Sequence, residues 1–343
     1  MKKYNVAIMG ATGAVGQEFL RLIEERKFPF AELKLLASKR SAGKKVPFMG
    51  KEYTVEETKP ESFEKVDIAL FAGGAASKEF ARPAVDRGAV VIDNGSAFRM
   101  DPDVPLVVPE VNPEALKNHK GIIANPNCST IIMVIALKPL YDYAKIKRII
   151  VSTYQAVSGA GKEAIDELTE QVRSVLKGEE AQANILPSAG MPKHYQIAFN
   201  LLPQIDVFLD NGYSKEEMKM VLETQKIFND PDMAITATTV RVPVYRSHSE
   251  AVTIETEGKI TADKARQLLA AAPGVIVQDN PQEQVYPMPL YTSDRNEVFV
   301  GRIREDISHP SSLNLWVVGD QIRKGAALNA LQIAEYMIGH NLI

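Results

Sequence analysis

A single cysteine occurs in the 343 residues, and its neighbours give it chemical meaning. Cys128 stands in Asn125-Pro126-Asn127-Cys128-Ser129-Thr130, directly before a strongly apolar stretch, 131–137. A cysteine at a helix start meets unpaired N–H groups and the positive end of the helix dipole. Both favour the thiolate, which is the reactive form. Asn127 adds an amide donor that can join backbone N–H groups around an oxyanion. Such a nucleophile needs a partner that handles protons. Five histidines are available: His119, His194, His248, His309 and His340. His119 and His340 fall in lysine-rich or terminal stretches, and His309 precedes Pro310. His248 follows Arg241-Val242-Pro243-Val244-Tyr245-Arg246-Ser247, so one loop would carry an Arg to hold a carboxylate and a His to move a proton. His194, in Met191-Pro192-Lys193-His194-Tyr195, stays open as the alternative.

A second chemistry lies near residue 10. Gly10-Ala11-Thr12-Gly13-Ala14-Val15-Gly16 sits between an apolar strand pattern, 4–9, and a helical pattern, 15–26. The spacing is GxxGxxG rather than GxGxxG, but the physical need is the same. Small residues let backbone approach a pyrophosphate, and the helix start supplies N–H donors and positive dipole. The second strand then runs into Ala37-Ser38-Lys39-Arg40-Ser41. No acidic residue is present there to bond a ribose 2′-hydroxyl, whereas Arg40 with the Ser38 and Ser41 hydroxyls suits a 2′-phosphate. NADP is the expected cofactor, with dual NAD and NADP use as the open alternative.

These residues need a scaffold. Up to residue 127, strand patterns (4–9, 33–37, 66–71, 89–93, 121–124) alternate with helical ones (15–26, 77–87), the signature of a doubly wound parallel sheet. Beyond it, helices at 129–143, 162–177 and 214–228 accompany strands at 148–155, 235–242, 251–256, 275–278, 298–303 and 313–318. That grouping reads as an α+β domain with a mixed sheet. A last helix, 324–339, would return to the first domain. The expected division is 1–127 plus 324–343 for dinucleotide binding and 128–323 for catalysis.

Composition narrows the field. Lys+Arg 40 against Asp+Glu 43 gives a net charge of -3. No basic stripe for nucleic acid and no polybasic membrane patch is present. No apolar run approaches the roughly 18 residues of a spanning helix. The first residues, Met1-Lys2-Lys3-Tyr4, enter a strand pattern without the apolar core of a signal peptide. A lone cysteine excludes a disulfide framework and a Cys-based zinc site, so the expected compartment is the cytoplasm and no metal is expected.

Seven segments in order resemble the aspartate-β-semialdehyde dehydrogenase family of the bacterial type. They are 10–16, Asn94-Gly95-Ser96-Ala97-Phe98-Arg99, Val108-Pro109-Glu110-Val111-Asn112, 125–130, Gln155-Ala156-Val157-Ser158-Gly159-Ala160-Gly161, Glu216-Glu217-Met218-Lys219 and 241–248. The resemblance implies an N-terminal Rossmann-like domain and a catalytic and dimerisation domain, assembled as a homodimer. It implies that Cys128 forms an acyl-thioester, that His248 is the general acid/base, and that Gln155 orients the substrate, with Asn127 beside the thioester. Arg241 would bind the substrate carboxylate, Arg99 and Lys219 phosphate, and Glu216 would touch the substrate amine or support the site. Gly10, Thr12, Gly13, Ala14, Val15, Ser38, Arg40, Ser41, Ser158, Gly159 and Gln321 would contact NADP. The implied reaction is reductive dephosphorylation of L-aspartyl-4-phosphate to L-aspartate-4-semialdehyde, with inorganic phosphate as co-substrate in reverse, in lysine, methionine and threonine biosynthesis. The alternatives are a reductase of N-acetyl-γ-glutamyl phosphate, an acyl-CoA reductase of similar fold, and a non-catalytic NADP-binding regulator. A regulator would need neither Cys128 nor His248.

Overall fold

The computed structural model describes residues 2–343, which divide into two compact units, 2–127 with 325–343, and 128–324. In the first unit, β1 (Tyr4–Met9), α1 (Ala14–Glu25), β2 (Phe30–Ala37), β3 (Lys45–Phe48), β4 (Lys51–Glu57), β5 (Ile68–Phe71), α2 (Ala76–Val85), β6 (Val90–Asp93) and β7 (Ile122–Ala124) follow one another. Seven strands lie in the order β3-β4-β2-β1-β5-β6-β7. Every pairing is parallel except β3 with β4. The sequence patterns leave out that hairpin. Its strands are short and carry charges on their open side, as sheet edges do, and the reversal at Met49-Gly50 uses two positive φ angles.

Apolar side chains of this sheet (Ile8, Leu35, Ile68, Leu70, Ile92) pack with Phe19, Leu22 and Ile23 of α1 and with Leu328, Leu331, Ala334 and Met337. The last four belong to the C-terminal helix Leu328–Gly339, preceded by one π-type turn at Arg323–Ala327. Two bonds from Arg26 to the Glu335 carboxylate, 2.7 and 2.6 Å, tie that helix to α1.

The second unit contains α3 (Cys128–Tyr143), β8 (Ile146–Ala156), α4 (Lys162–Leu176), α5 (Lys215–Phe228), β9 (Ala234–Val242), β10 (His248–Thr256), α6 (Ala262–Ala270), β11 (Val275–Val277), α7 (Pro289–Thr292), β12 (Val298–Glu305) and β13 (Ser312–Gly319). Its six-stranded mixed sheet has the order β11-β12-β13-β10-β8-β9. Period-2 alternation decides the faces. On β10, His248, Glu250, Val252 and Ile254 are buried, while Ala251, Thr253 and Glu255 are half-buried on the opposite side. The buried face is covered by α3, which packs against β8, β10, β12 and β13 and against α5 and α6. Residues 129–137 of α3 are all buried, because this helix is apolar all round. It sits close to the sheet at Gly319, where a Cβ would stand 2.9 Å from Ile132 Cγ1. Gly319 pairs with His248 in the ladder. The small residue on β13 therefore lets the helix that starts with Cys128 lie down next to the histidine.

Candidate active site

Three neighbouring strand ends supply most of the site. In the β8/β9 ladder Gln155 pairs with Arg241, and β10, which begins at His248, flanks β8 on its other side. Arg241 and His248 thus do not share a loop, as their spacing suggests. Arg241 belongs to β9 and His248 opens β10, with the connection between them reversing at Ser247 (φ 71°). That reversal is held by the Ser247 N–H, which donates to Gln321 Oε1 at 2.8 Å. The Gln321 amide also bonds the Ser158 hydroxyl.

The Ala156 peptide groups hold both side chains. The Ala156 N–H donates to His248 Nδ1 at 3.1 Å, and the Ala156 carbonyl accepts from Arg241 Nη1 at 2.8 Å. Both side chains then crowd Gly159. A Cβ at that position would lie 2.8 Å from Arg241 Nη1 and 3.4 Å from His248 Nε2. A side chain at Gly159 would force the Arg241 guanidinium to shift and press on the His248 ring.

A polar chain runs through the same buried face. Lys219 Nζ donates to Glu216 at 3.0 Å and to Asp206 at 3.2 Å. Gln155 Nε2 donates to Glu216 Oε1 and to Thr153 Oγ1, both at 3.3 Å. Glu216 and Lys219 lie three apart on α5, whose start is fixed by a capping box between Ser214 and Glu217. Asp206, the second partner of Lys219, comes from an irregular stretch that carries no periodic signal in the sequence.

Charge in this site is settled by burial. Burial pulls the Arg241 guanidinium down, and the nearby negative charges of Glu216 and then Cys128 push it back up. A Cys128 thiolate thus meets the start of α3 and a buried cation, two features that favour it. His248 is held down to about 3, first by burial and second by the Arg241 charge, with Glu216 opposing. Its ring is neutral at physiological pH. Glu250, two residues along β10 on the same face, is pushed well up by burial alone and has no hydrogen-bond partner at either oxygen.

The remaining expected residues are built in the first unit. Gly10 has φ 83°, and a Cβ at Gly16 would meet Gly10 O at 2.2 Å, so the turn into α1 is closed around both glycines. Thr12 Oγ1 and Ser41 Oγ are 3.4 Å apart, which joins the glycine loop to the turn after β2. Ser38 and Arg40 of that turn are exposed. The start of α1, the hydroxyls of Thr12, Ser38 and Ser41 and the Arg40 guanidinium, gathered at a strand–helix junction, fit a dinucleotide phosphate. Gly13 is the N-cap of α1, and Ala14 and Val15 are its first residues. Arg99 donates to the Asn94 carbonyl at 2.8 Å. Its loop is anchored by Asp93, which accepts from Ser77 Oγ at 2.6 Å and from the Gly95 N–H at 2.7 Å. Asn127 is buried at the end of this unit and covalently precedes Cys128.

None of the other histidines is hydrogen-bonded to Arg241, Gln155 or Glu216. His119 lies near Leu342, His309 is on an exposed turn, and His340 stacks on Tyr336. His194 lies in the irregular stretch between α4 and α5, and no hydrogen bond joins it to Arg241, Gln155 or Glu216. Among the described residues no group of three or more His, Cys, Asp or Glu side chains is placed to hold a metal ion, and no helix is long and apolar enough to cross a membrane.

The same arrangement of elements is found in known proteins. Residues 5–119 match the family described as semialdehyde dehydrogenase, NAD binding domain, and residues 137–324 match semialdehyde dehydrogenase, dimerisation domain. The aspartate-semialdehyde dehydrogenases of Aquifex aeolicus and Bacillus subtilis are 58% and 55% identical, each over 99% of this chain and 99% of their own. A crystal structure of aspartate semialdehyde dehydrogenase II from Vibrio cholerae, complexed with ASA, has a TM-score of 0.94 and 51% identity, covering 98% of this chain and 99% of that one. The Candida albicans enzyme with NADP has a TM-score of 0.78 at 27% identity, with both chains fully covered. Matches that span both units, together with the Cys128, Arg241 and His248 cluster, make this chain a member of the aspartate-semialdehyde dehydrogenase family.

Proposed function

We propose that the chain catalyses the reversible reductive dephosphorylation of L-aspartyl-4-phosphate to L-aspartate-4-semialdehyde, using NADPH, through a thioester on Cys128. The observation that carries this reading is the buried link from Ala156 to both Arg241 and His248, beside Gln155, Glu216 and Lys219. Cys128 attacks the acyl phosphate carbon and displaces phosphate, splitting one hard step into two. NADP(H), when bound, donates or accepts the hydride. Arg241 grips the α-carboxylate in a charge-assisted pair. Glu216 takes the α-ammonium, Arg99 and Lys219 the phosphate, and Gln155 orients the thioester with Asn127. His248 serves the reacting oxygen. Gly10, Thr12–Val15, Ser38, Arg40 and Ser41 hold the dinucleotide, with Ser158, Gly159 and Gln321 on the second unit. Arg40 and the absence of an acid in its turn support NADP over NAD.

The product chemistry places the enzyme in lysine, methionine and threonine biosynthesis. We further propose a homodimer. The side of the second sheet away from α3 carries Tyr154 and Trp316, with ring centroids 5.5 Å apart, and a groove lined by Tyr286, Met288 and Arg302. That sheet lies in the portion matched by the dimerisation domain.

Glu216 separates this substrate from its N-acetylated relative, whose amine bears no charge. The test is phosphate-dependent NADP reduction with L-aspartate-4-semialdehyde against N-acetyl-glutamate-semialdehyde. A strong preference for the first is expected. Equal use, or preference for the acetylated compound, would overturn the substrate assignment.

A further inference from the structure

Lys219 is given to phosphate above, yet two carboxylates already share its ammonium. Glu216 accepts from Nζ at 3.0 Å and Asp206 at 3.2 Å. The two pairs have different origins. Glu216 and Lys219 stand three apart on α5, a spacing at which helical side chains meet. Asp206 is brought in from the irregular stretch 177–213, and the chain is pinned on both sides of it. Leu202 exchanges two backbone bonds with Arg241, at 3.0 and 2.9 Å, and the Val207 carbonyl accepts from the Lys215 N–H at 2.9 Å. The pins are thus the end of β9 and the start of α5, the elements that carry Arg241 and Lys219. Between them Asp206 sits in the left-handed region, φ 67°, which few residues other than glycine enter. Its carboxylate is divided. Oδ1 accepts from the Val207 N–H at 2.8 Å, and Oδ2 faces Lys219. The Asp206 side chain is 35% exposed, against 7% for Glu216. Of the two pairs, the one with Asp206 is the more open to solvent, from which an anion arrives.

We propose that Asp206 is the resident counterion of Lys219, holding its ammonium until phosphate replaces it, and that Asp206 thereby sets how tightly the enzyme holds phosphate. Asp206 is a positioning residue that acts through Lys219, and its role rests on Lys219 being the phosphate ligand proposed above. A phosphate dianion and the Asp206 carboxylate on one ammonium would bring like charges together, which disfavours sharing. Lys219 is the member that moves, because its stem is flexible and its three donors rotate. Asp206 stays on the Val207 N–H, and water takes over its second oxygen at little cost for a partly exposed pair. Phosphate affinity is then lowered by whatever the Asp206–Lys219 pair contributes. Weak holding suits a reversible reaction, since phosphate must also leave each time Cys128 is acylated by the acyl phosphate.

Steady-state oxidation of L-aspartate-4-semialdehyde at saturating NADP⁺, with inorganic phosphate varied, tests the role. Asp206→Asn changes the charge and little else. Asparagine tolerates the left-handed region, keeps an oxygen for the Val207 N–H, and turns an N–H donor toward Lys219 in place of an acceptor. The KM for phosphate should fall roughly two- to fivefold, the worth of one partly exposed ion pair, with kcat and the KM for NADP⁺ within about twofold of wild type. Glycine also adopts this φ, so Asp206→Gly should lower the KM in the same sense, and it decides the matter if the Asn variant does not fold. A KM for phosphate that is unchanged or raised in the folded variant would overturn the counterion role. A residue that merely oriented Lys219 or held the loop could only weaken phosphate when lost. Lys219→Gln separates this inference from the reading beneath it. That variant should raise the KM for phosphate at least about tenfold, the loss of a charge-assisted contact. If it leaves phosphate untouched, Lys219 is not the phosphate ligand and the counterion role falls with it. If it raises the KM while neither Asp206 variant lowers it, Lys219 keeps its assignment and Asp206 alone loses its role.

Discussion

Glu250→Gln should make the enzyme more stable, by an amount that depends on pH. Glu250 is fully buried on β10, neither carboxyl oxygen has a partner, and burial alone pushes its titration well above the usual 4.5. Below about pH 4.5 the carboxyl is protonated in the folded and the unfolded chain alike, so it takes nothing from stability. Above that, the unfolded chain releases the proton while the folded chain keeps it. Folded stability is then lost as pH rises, until the pH reaches the raised folded value. The slope of that loss is about 1.4 kcal/mol per pH unit. Glutamine has nearly the same shape and no proton to lose, so the variant escapes this decline. Stability differences between the two proteins should be small near pH 4 and then grow by about 1.4 kcal/mol per unit. For a unit of 150–250 residues this is roughly 3–6 °C in Tm per pH unit. Urea titrations of both proteins at half-unit steps from about pH 4 to 8 measure it, with ΔG obtained by linear extrapolation. A constant offset across this range, or a wild type more stable than the variant at neutral pH, would mean that Glu250 is ionised and paired, and the burial argument would fail.

Cys128→Ser should lose nearly all turnover, because a hydroxyl is far less ionised than a thiol, while isothermal titration should show NADP binding unchanged. Arg40→Ala should weaken NADP by on the order of 10–100-fold, the worth of one charge-assisted phosphate contact, and leave NAD affinity almost unaltered. Equal losses for both nucleotides would remove Arg40 from the 2′-phosphate. Gly159→Ala pushes a methyl to 2.8 Å from Arg241 Nη1 and 3.4 Å from His248 Nε2, so kcat/KM should fall sharply while the thermal midpoint shifts little. Ser214→Ala removes the cap of α5 and should cost about 1 kcal/mol of stability in urea unfolding.

The Rossmann-like half was readable because its strands are short apolar runs between amphipathic helices, and the glycine loop falls at the required junction. The helix start at the unique cysteine was readable because a polar Asn-Pro-Asn turn leads straight into an apolar run. Other features were hidden by physical causes. The β3–β4 hairpin is an edge, so its residues follow exposure rather than a buried period. Arg241 and His248 look like loop neighbours because the strand pattern of β10 becomes apolar only at Val252. The strand begins at His248, and its parity then puts Glu250 on the histidine's side. Asp206 comes from a stretch whose position is set by tertiary packing. The clamp at Ala156 consists of backbone groups, which no side-chain motif encodes, and Gly319 reads as a turn residue until α3 is seen against it.

The most direct test of the thioester is mass spectrometry of the protein after mixing with L-aspartate-4-semialdehyde and NADP⁺ in the absence of phosphate. Without the acceptor, the acyl-enzyme cannot be discharged to acyl phosphate. One aspartyl group should accumulate on the peptide that contains Cys128, with one NADPH formed per site, and added phosphate should release the group as turnover resumes. Reduction of NADP⁺ with no covalent adduct on Cys128, or an undiminished reaction in Cys128→Ala, would contradict the mechanism.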